Sequence, residues 1–292
     1  MLGVSTITFS LLHVVPGDPV EVMLGESASV ADRAALRADL GLDKPVHEQW
    51  LRFQANLLQA EFGNSLYSKK PITELLAERA PWTALLALAS LAVALSLAIP
   101  LGTLAALRVG TFWDALASSA SLIGVSIPNF LFGPLLIIVF SIWAGWFPTS
   151  GNESVSAIVL PAITLGTSLA AILARMIRAS LLEVLGEDFV IAARARGLSK
   201  TTVLFRHVYP NAALPILTIV GLQLGALLGG AVITEIVFSW PGIGQLLIEG
   251  IQRRDYPVVQ TCVLLVSFIY VLVNMLTDIA YSYADPRINF GR

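Results

Sequence analysis

Five apolar stretches dominate the sequence, at about residues 82–107, 115–144, 157–177, 212–238 and 258–283. A helix needs roughly 20 apolar residues to cross the hydrocarbon core of a bilayer, and each stretch is long enough. Composition agrees. Only 13% of the 292 residues are charged and 56% are hydrophobic, with a mean hydropathy of +0.77. Soluble domains carry about 25% charged residues. The chain is therefore expected to be an all-α polytopic membrane protein. A net charge of −2 gives no global basic field of the kind that binds nucleic acid.

Residues 1–15, MLGVSTITFSLLHVV, are apolar but short. They lack the basic n-region and small-residue cleavage site of a signal peptide. They read as the second half of a first, truncated transmembrane helix whose natural start lies upstream, which makes six spans. Pro16-Gly17-Asp18-Pro19 ends it, because Pro removes a backbone donor and Gly and Asp favour turns. Residues 16–80 then hold ten acidic and seven basic residues. Apolar residues recur there at a spacing of three to four, which predicts two amphipathic helices in an extramembrane layer. Leu40-Gly41-Leu42 has the look of a helix end with Gly in the left-handed position.

Within the spans, Pro100, Pro128, Pro134, Pro161 and Pro215 are expected to be simple kinks. Gly221, Gly225 and Gly229 fall at i, i+4 and i+8, a face on which another helix can approach closely. Cys262 sits in an apolar run without metal-ligand spacing and is expected to be a packing residue. Glu235 and Asp278, near the ends of their spans, are expected to be water-exposed at the interface. Trp240-Pro241-Gly242-Ile243-Gly244 predicts a turn, then a short helix, QLLIEGIQ. That helix can re-enter the membrane, cap the pathway or lie as an interfacial anchor. Tyr256-Pro257 starts the last span, where the missing proline donor is harmless.

Basic residues in short loops set orientation. Arg108 follows the second span, Arg178, Arg194, Arg196, Lys200 and Arg206 fill the 178–211 loop, and Arg287 and Arg292 follow the last span. Only Arg253 and Arg254 oppose them in a short loop, and the 145–156 loop has no Lys or Arg. The 178–211 loop and both termini are thus expected in the cytoplasm, and the 16–80 layer outside.

The cytoplasmic segment 183–210 contains IAARARGLSKTTVLFRHVYP. A helix over about 181–196 is expected to stop at Gly197 in a left-handed position, with Leu198 as the hydrophobic contact that follows. Ser199 can cap a second helix, KTTVLFRHV, which Pro210 helps to end. Its apolar set, Val203, Leu204, Phe205 and Val208, must rest on the membrane surface, fold back on this chain or dock into another protein.

The segment resembles the cytoplasmic EAA loop of bacterial ABC-importer permease subunits. Its pattern is Glu-Ala-Ala, three residues, Gly, nine residues, Ile, one residue, Leu-Pro. Ala192, Ala193, Gly197 and Pro210 match it, while Ile191, His207 and Tyr209 replace its Glu, Ile and Leu. HVVPGDPV, LGLDKP, FGNSLYSKKPITELLAERAPWTALL, GVSIPNF, ARARGLS, GGAVITEIVFSWPGIGQLL and RRDYPVVQ together resemble the dipeptide/oligopeptide/nickel permease family, from about residue 4 to residue 288.

The resemblance implies the permease subunit of an ATP-driven importer in the bacterial inner membrane. It implies a second permease subunit, two cytoplasmic ABC ATPase subunits or domains and an extracytoplasmic substrate-binding protein as partners, besides membrane lipid. It also implies that the loop bearing Ala192, Ala193, Arg194, Arg196, Gly197, Leu198 and Pro210 is the ATPase-coupling element. Dipeptides, longer peptides, glutathione and chelated nickel are all handled by permeases of this type. No GxxxxGK[ST], HExxH or GxSxG occurs, and His13, His47 and His207 are scattered. The chain is therefore expected to have no catalytic residues, metal site or cofactor, with ATP hydrolysis on a partner. A stand-alone secondary transporter would need ionisable residues in mid-span, which are almost lacking. An intramembrane hydrolase would need a nucleophile–base motif.

Overall fold

The computed structural model describes residues 1–14, 20, 29–39 and 41–284. Pro16-Gly17-Asp18-Pro19, Leu40 and residues 285–292 lie outside them. The regular elements among the described residues are helices, with one isolated β-bridge between Asn64 and Pro71. The chain forms two compact units, Met1–Thr83 with Pro241–Val271, and Ala84–Trp240 with Leu272–Arg292.

The first unit holds α1 (Leu2–Val14), α2 (Val30–Asp39), α3 (Val46–Leu58), the opening turns of α4 (Ile72–Leu107), α11 (Ile243–Gln252) and the first half of α12 (Tyr256–Ala284). Ser29 caps α2 by accepting the Asp32 N–H at 3.1 Å. Gly41, at φ +68°, closes that helix as expected. Its N–H reaches the Ala38 carbonyl at 3.0 Å and the Leu42 N–H reaches that of Arg37 at 2.9 Å. α1 packs on α3 through the Phe9–Phe53 ring pair, 5.6 Å between centroids. The Trp50 indole N–H also donates to Thr6 at 3.2 Å.

A core of Ile72, Leu76, Ile243, Leu246, Val258 and Cys262 fixes α11 against α4 and α12. Cys262 is the packing residue expected, and the helix after the Trp240 turn buries its apolar face here. Beside this core the Asp255 carboxylate is buried. It accepts the Ser65 hydroxyl at 2.5 Å and the backbone N–H groups of Leu66 and Tyr67 at 3.1 and 3.2 Å.

The second unit holds the rest of α4, then α5 (Phe112–Ser126) and α6 (Asn129–Leu136), which runs into a π-helical turn, Ile137–Trp143. After it come α7 (Val159–Leu185), α8 (Asp188–Ala195), α9 (Lys200–Val203), α10 (Tyr209–Val237) and the end of α12. Among the described residues four helical stretches are long and apolar enough to span: Ile72–Leu107, Val155–Leu185, Lys200–Gly225 and Tyr256–Ile279. A fifth, expected as one span over 115–144, is instead a pair of helices bent by 101°. Ile127 is extended there, at φ −90° and ψ 114°. The ring of Pro128 clashes with a helical conformation at the residue before it, so the helix stops and restarts. Pro100, Pro134, Pro161 and Pro215 stay inside helical segments.

Two expectations for α10 need correction. Gly221 does permit a close approach, since a Cβ there would lie 2.2 Å from Thr277 Cγ2, but Gly229 is exposed with no atom within 4 Å of its Cβ position. Eight residues are about 2.2 turns of helix, so Gly229 has rotated about 80° off the Gly221 face. Glu235 is fully buried, at 0% exposure, rather than bathed in water. Ser239 takes the left-handed conformation at φ +48°. The Trp240 N–H then donates to the Glu235 carbonyl at 2.8 Å and the Ser239 N–H to that of Ile236 at 3.2 Å. Trp240, which follows the turn, is buried as well. Asp278 is exposed, as expected.

Candidate functional site

The loop after α7 is built by caps. The single helix expected over about 181–196 is instead the end of one and the whole of another: α7 runs on to Leu185, where Gly186 interrupts it. α8 begins at Asp188, whose carboxylate complements the positive helix start, and ends where Gly197 adopts φ +78°. The Gly197 N–H donates to the Arg194 carbonyl at 3.0 Å and the Leu198 N–H to that of Ala193 at 3.4 Å. This is the left-handed closure read from the Gly-Leu pair. Ser199 Oγ accepts the Thr202 N–H at 3.2 Å and caps the next helix.

That second helix does not end at Pro210. Lys200–Val203 passes through a π-helical turn, Leu204–Val208, straight into Tyr209–Val237. Pro210 falls where the π-helical turn meets α10, and that shift of register accommodates its missing donor. The π turn shifts the bonding register, so that the Tyr209 N–H reaches the Leu204 carbonyl. Asn211 Nδ2 donates to the His207 carbonyl at 2.6 Å. The Tyr209 hydroxyl shares a hydrogen bond with Thr103 of α4. The second loop helix is thus one mechanical piece with a membrane span.

The question of where the apolar face goes has a split answer. Val203, Leu204 and Val208 are buried within the chain, together with Val190 and Ala193 of α8. Phe205 is 67% exposed and stacks on Tyr209 at 5.5 Å. Ile191 is 58% exposed, and Phe189 and Leu198 are exposed as well. Ala192, Arg194, Arg196 and Gly197 are also exposed. Gly197, Leu198, Ala192 and the two arginines therefore share one short solvent-facing element. Pro210, though exposed, belongs to the span that follows.

Sequence reasoning placed Arg178 in this loop. It lies instead in α7, half-buried, and binds Asp114 of α5 through two bonds: Nε to Oδ1 and Nη2 to Oδ2, each 2.8 Å. Asp114 is buried and also accepts the Gly110 N–H at 3.1 Å. Sixty-four residues separate the pair, and no local spacing announces it. Near the α5–α6 bend a largely apolar cavity of about 210 Å³ opens between Leu97, Ile123, Ile127, Asn129, Phe132 and Thr167.

Known proteins share this architecture. The chain matches the methionine ABC transporter MetNI in its inward-facing conformation with a TM-score of 0.65 at 20% identity, over 74% of this chain and 99% of that one. It matches an amino acid ABC transporter at 0.57 and 16%, over 72% and 94%. At these identities the likeness concerns the fold. Among sequence relatives, the di/tripeptide transport system permease protein DppB of Pseudomonas aeruginosa is 42% identical over 99% of this chain and 95% of that protein. The glutathione transport system permease protein GsiC of Escherichia coli is 39% identical over 98% and 94%. An N-terminal family model of binding-protein-dependent transport system membrane components covers residues 1–87. Residues 98–290 match the main model, and the chain belongs to the family of binding-protein-dependent transport system inner membrane components.

Proposed function

We infer that this permease subunit of an ATP-binding-cassette importer carries short peptides or peptide-like solutes across the inner membrane, with Gly186–Ser199 and the helix after it as its coupling element. The single observation that carries the coupling reading is the continuity of Lys200–Val237, a loop helix joined to a span without a break. A helical rod transmits displacement where an irregular loop would absorb it. The exposed Phe189, Ile191, Leu198 and Phe205 supply apolar contact area on the same loop, with Arg194 and Arg196 exposed beside them. Such an element suits a groove on an ATPase subunit.

The solute class rests on the relatives. One is named for di- and tripeptides and another for glutathione, itself a modified tripeptide, and both align over nearly the whole chain. Charge in the short loops supports an inward-facing coupling loop, cytoplasmic termini and an outward-facing 16–80 layer. In this reading two permease subunits form the pathway, two ATPase subunits or domains bind the loops, and a binding protein delivers solute from outside.

The test is reconstitution in liposomes with the partner permease, ATPase and binding protein. Tritiated dialanine should accumulate only with ATP and all partners, and unlabelled glutathione or tripeptides should compete. Uptake by this chain alone, or driven by an ion gradient without ATP, would contradict the reading.

A further inference from the structure

Among the described residues, Asp114 and Arg178 form a bidentate ion pair between two helices of the second unit. Arg178 lies about two turns before the end of α7, on the span that leads into the coupling loop. Asp114 lies in the first turn of α5, the half-span that runs to the 101° bend. A bidentate guanidinium–carboxylate contact fixes both distance and orientation. The carboxylate is itself held. Gly110, at φ +72°, points its N–H at Oδ2, and Ser118 Oγ lies 3.4 Å from Oδ1. The pair therefore joins the loop-bearing span to the broken span at one defined point.

We propose that the Asp114–Arg178 pair is the positioning contact through which displacement of the coupling loop reaches the broken span and its bend. The proposal rests on the coupling-loop reading above. It assigns neither residue to solute or ATPase contact; both act through the helices they hold. When the loop moves it pulls on α7, which is helical as far as the Gly186 break, and the bidentate bond makes α5 follow. The Ile127–Pro128 break then lets α5 re-aim without dragging α6 along as one rod. Without the bond, α7 slips against α5, and loop motion no longer changes the region of the bend.

The experiment compares Asp114→Asn and Arg178→Lys with the unsubstituted chain in the complete reconstituted importer. Asn keeps the shape and loses the charge; Lys keeps the charge and loses the planar fork. The readout is ATP hydrolysed per molecule of tritiated dialanine imported. A purely structural role would change the amount of complex but not this ratio. Both variants should assemble with the ATPase and raise the ratio about tenfold, the size of a moderate coupling energy. An unchanged ratio in assembled complexes would overturn the proposal. So would disappearance of both variants from the membrane, which would make the pair a folding element. Gly197→Val, measured alongside, separates this from the coupling-loop reading. If it uncouples while both pair variants behave normally, only the proposal fails; if it behaves normally, the loop reading fails with it.

Discussion

The backbone N–H of Trp240 donates to the carbonyl of Glu235 at 2.8 Å, closing the last turn of α10, in which the Glu235 side chain is buried. The closure depends on Ser239 at φ +48°, a conformation that L-residues other than Gly, Asn and Asp adopt at a cost of roughly 1–2 kcal/mol. Ser239→Gly should relieve about 1 kcal/mol of that cost and raise the thermal midpoint of the purified protein. Ser239→Val should lower it. A lower midpoint for the glycine variant would show that the serine side chain supports the turn.

The two glycines on α10 should behave differently. Gly221→Ala would place a methyl within 2.2 Å of Thr277 Cγ2. Overpacking of this kind costs about 1–3 kcal/mol, so membrane abundance and thermal stability should fall. Gly229→Ala meets open space and should leave both unchanged. Equal losses for the two would contradict the packing described here.

Removing the Asp255 carboxylate should loosen the loop it holds. Asp255→Ala deprives the Ser65 hydroxyl and the Leu66 and Tyr67 N–H groups of their acceptor. Hydrogen bonds to a charged group are worth about 1.5–3 kcal/mol each. Limited proteolysis should then cut within residues 61–71 much faster than in the unsubstituted chain. An unchanged cleavage rate would mean that the loop is held by other contacts.

Orientation is open to direct labelling. In a Cys262→Ser background, a cysteine replacing exposed Ser68 should react with a membrane-impermeant maleimide in cells whose outer membrane has been permeabilised. One replacing exposed Thr201 should react only after the inner membrane is opened as well. Labelling of position 201 from outside would reverse the topology inferred from the basic loops.

Local chemistry was legible in the sequence and geometry at a distance was not. Gly197, Leu198 and Ser199 announced their turn and cap because left-handed backbone and side-chain capping are properties of a few adjacent residues. The spans followed from length and apolarity. The bend at Ile127–Pro128 did not, because hydropathy over 115–144 is indifferent to whether a proline kinks a helix or stops it. Pro210 reads as a helix end in the sequence, yet a π-helical turn before it lets the helix continue. Burial of Glu235 is not legible in the sequence, because the left-handed turn at Ser239 after it lacks the glycine that marks such turns. The Asp114–Arg178 pair spans sixty-four residues, a separation only the fold closes.

The central claim is that a Gly-hinged helical element passes ATPase motion to the span that follows it, and Gly197 tests it most directly. A β-branched residue at φ +78° faces a cost of roughly 1–2 kcal/mol, enough to re-aim α8 against the Lys200 helix and small against the stability of a multi-span bundle. The measurement is dialanine uptake by the reconstituted importer, with membrane abundance and ATPase co-purification scored on the same samples. Gly197→Val should insert at normal abundance, retain less ATPase and abolish uptake, while Gly197→Asn, which tolerates the left-handed region, should be milder. Normal uptake with full ATPase occupancy in Gly197→Val, or its loss from the membrane altogether, would contradict the account.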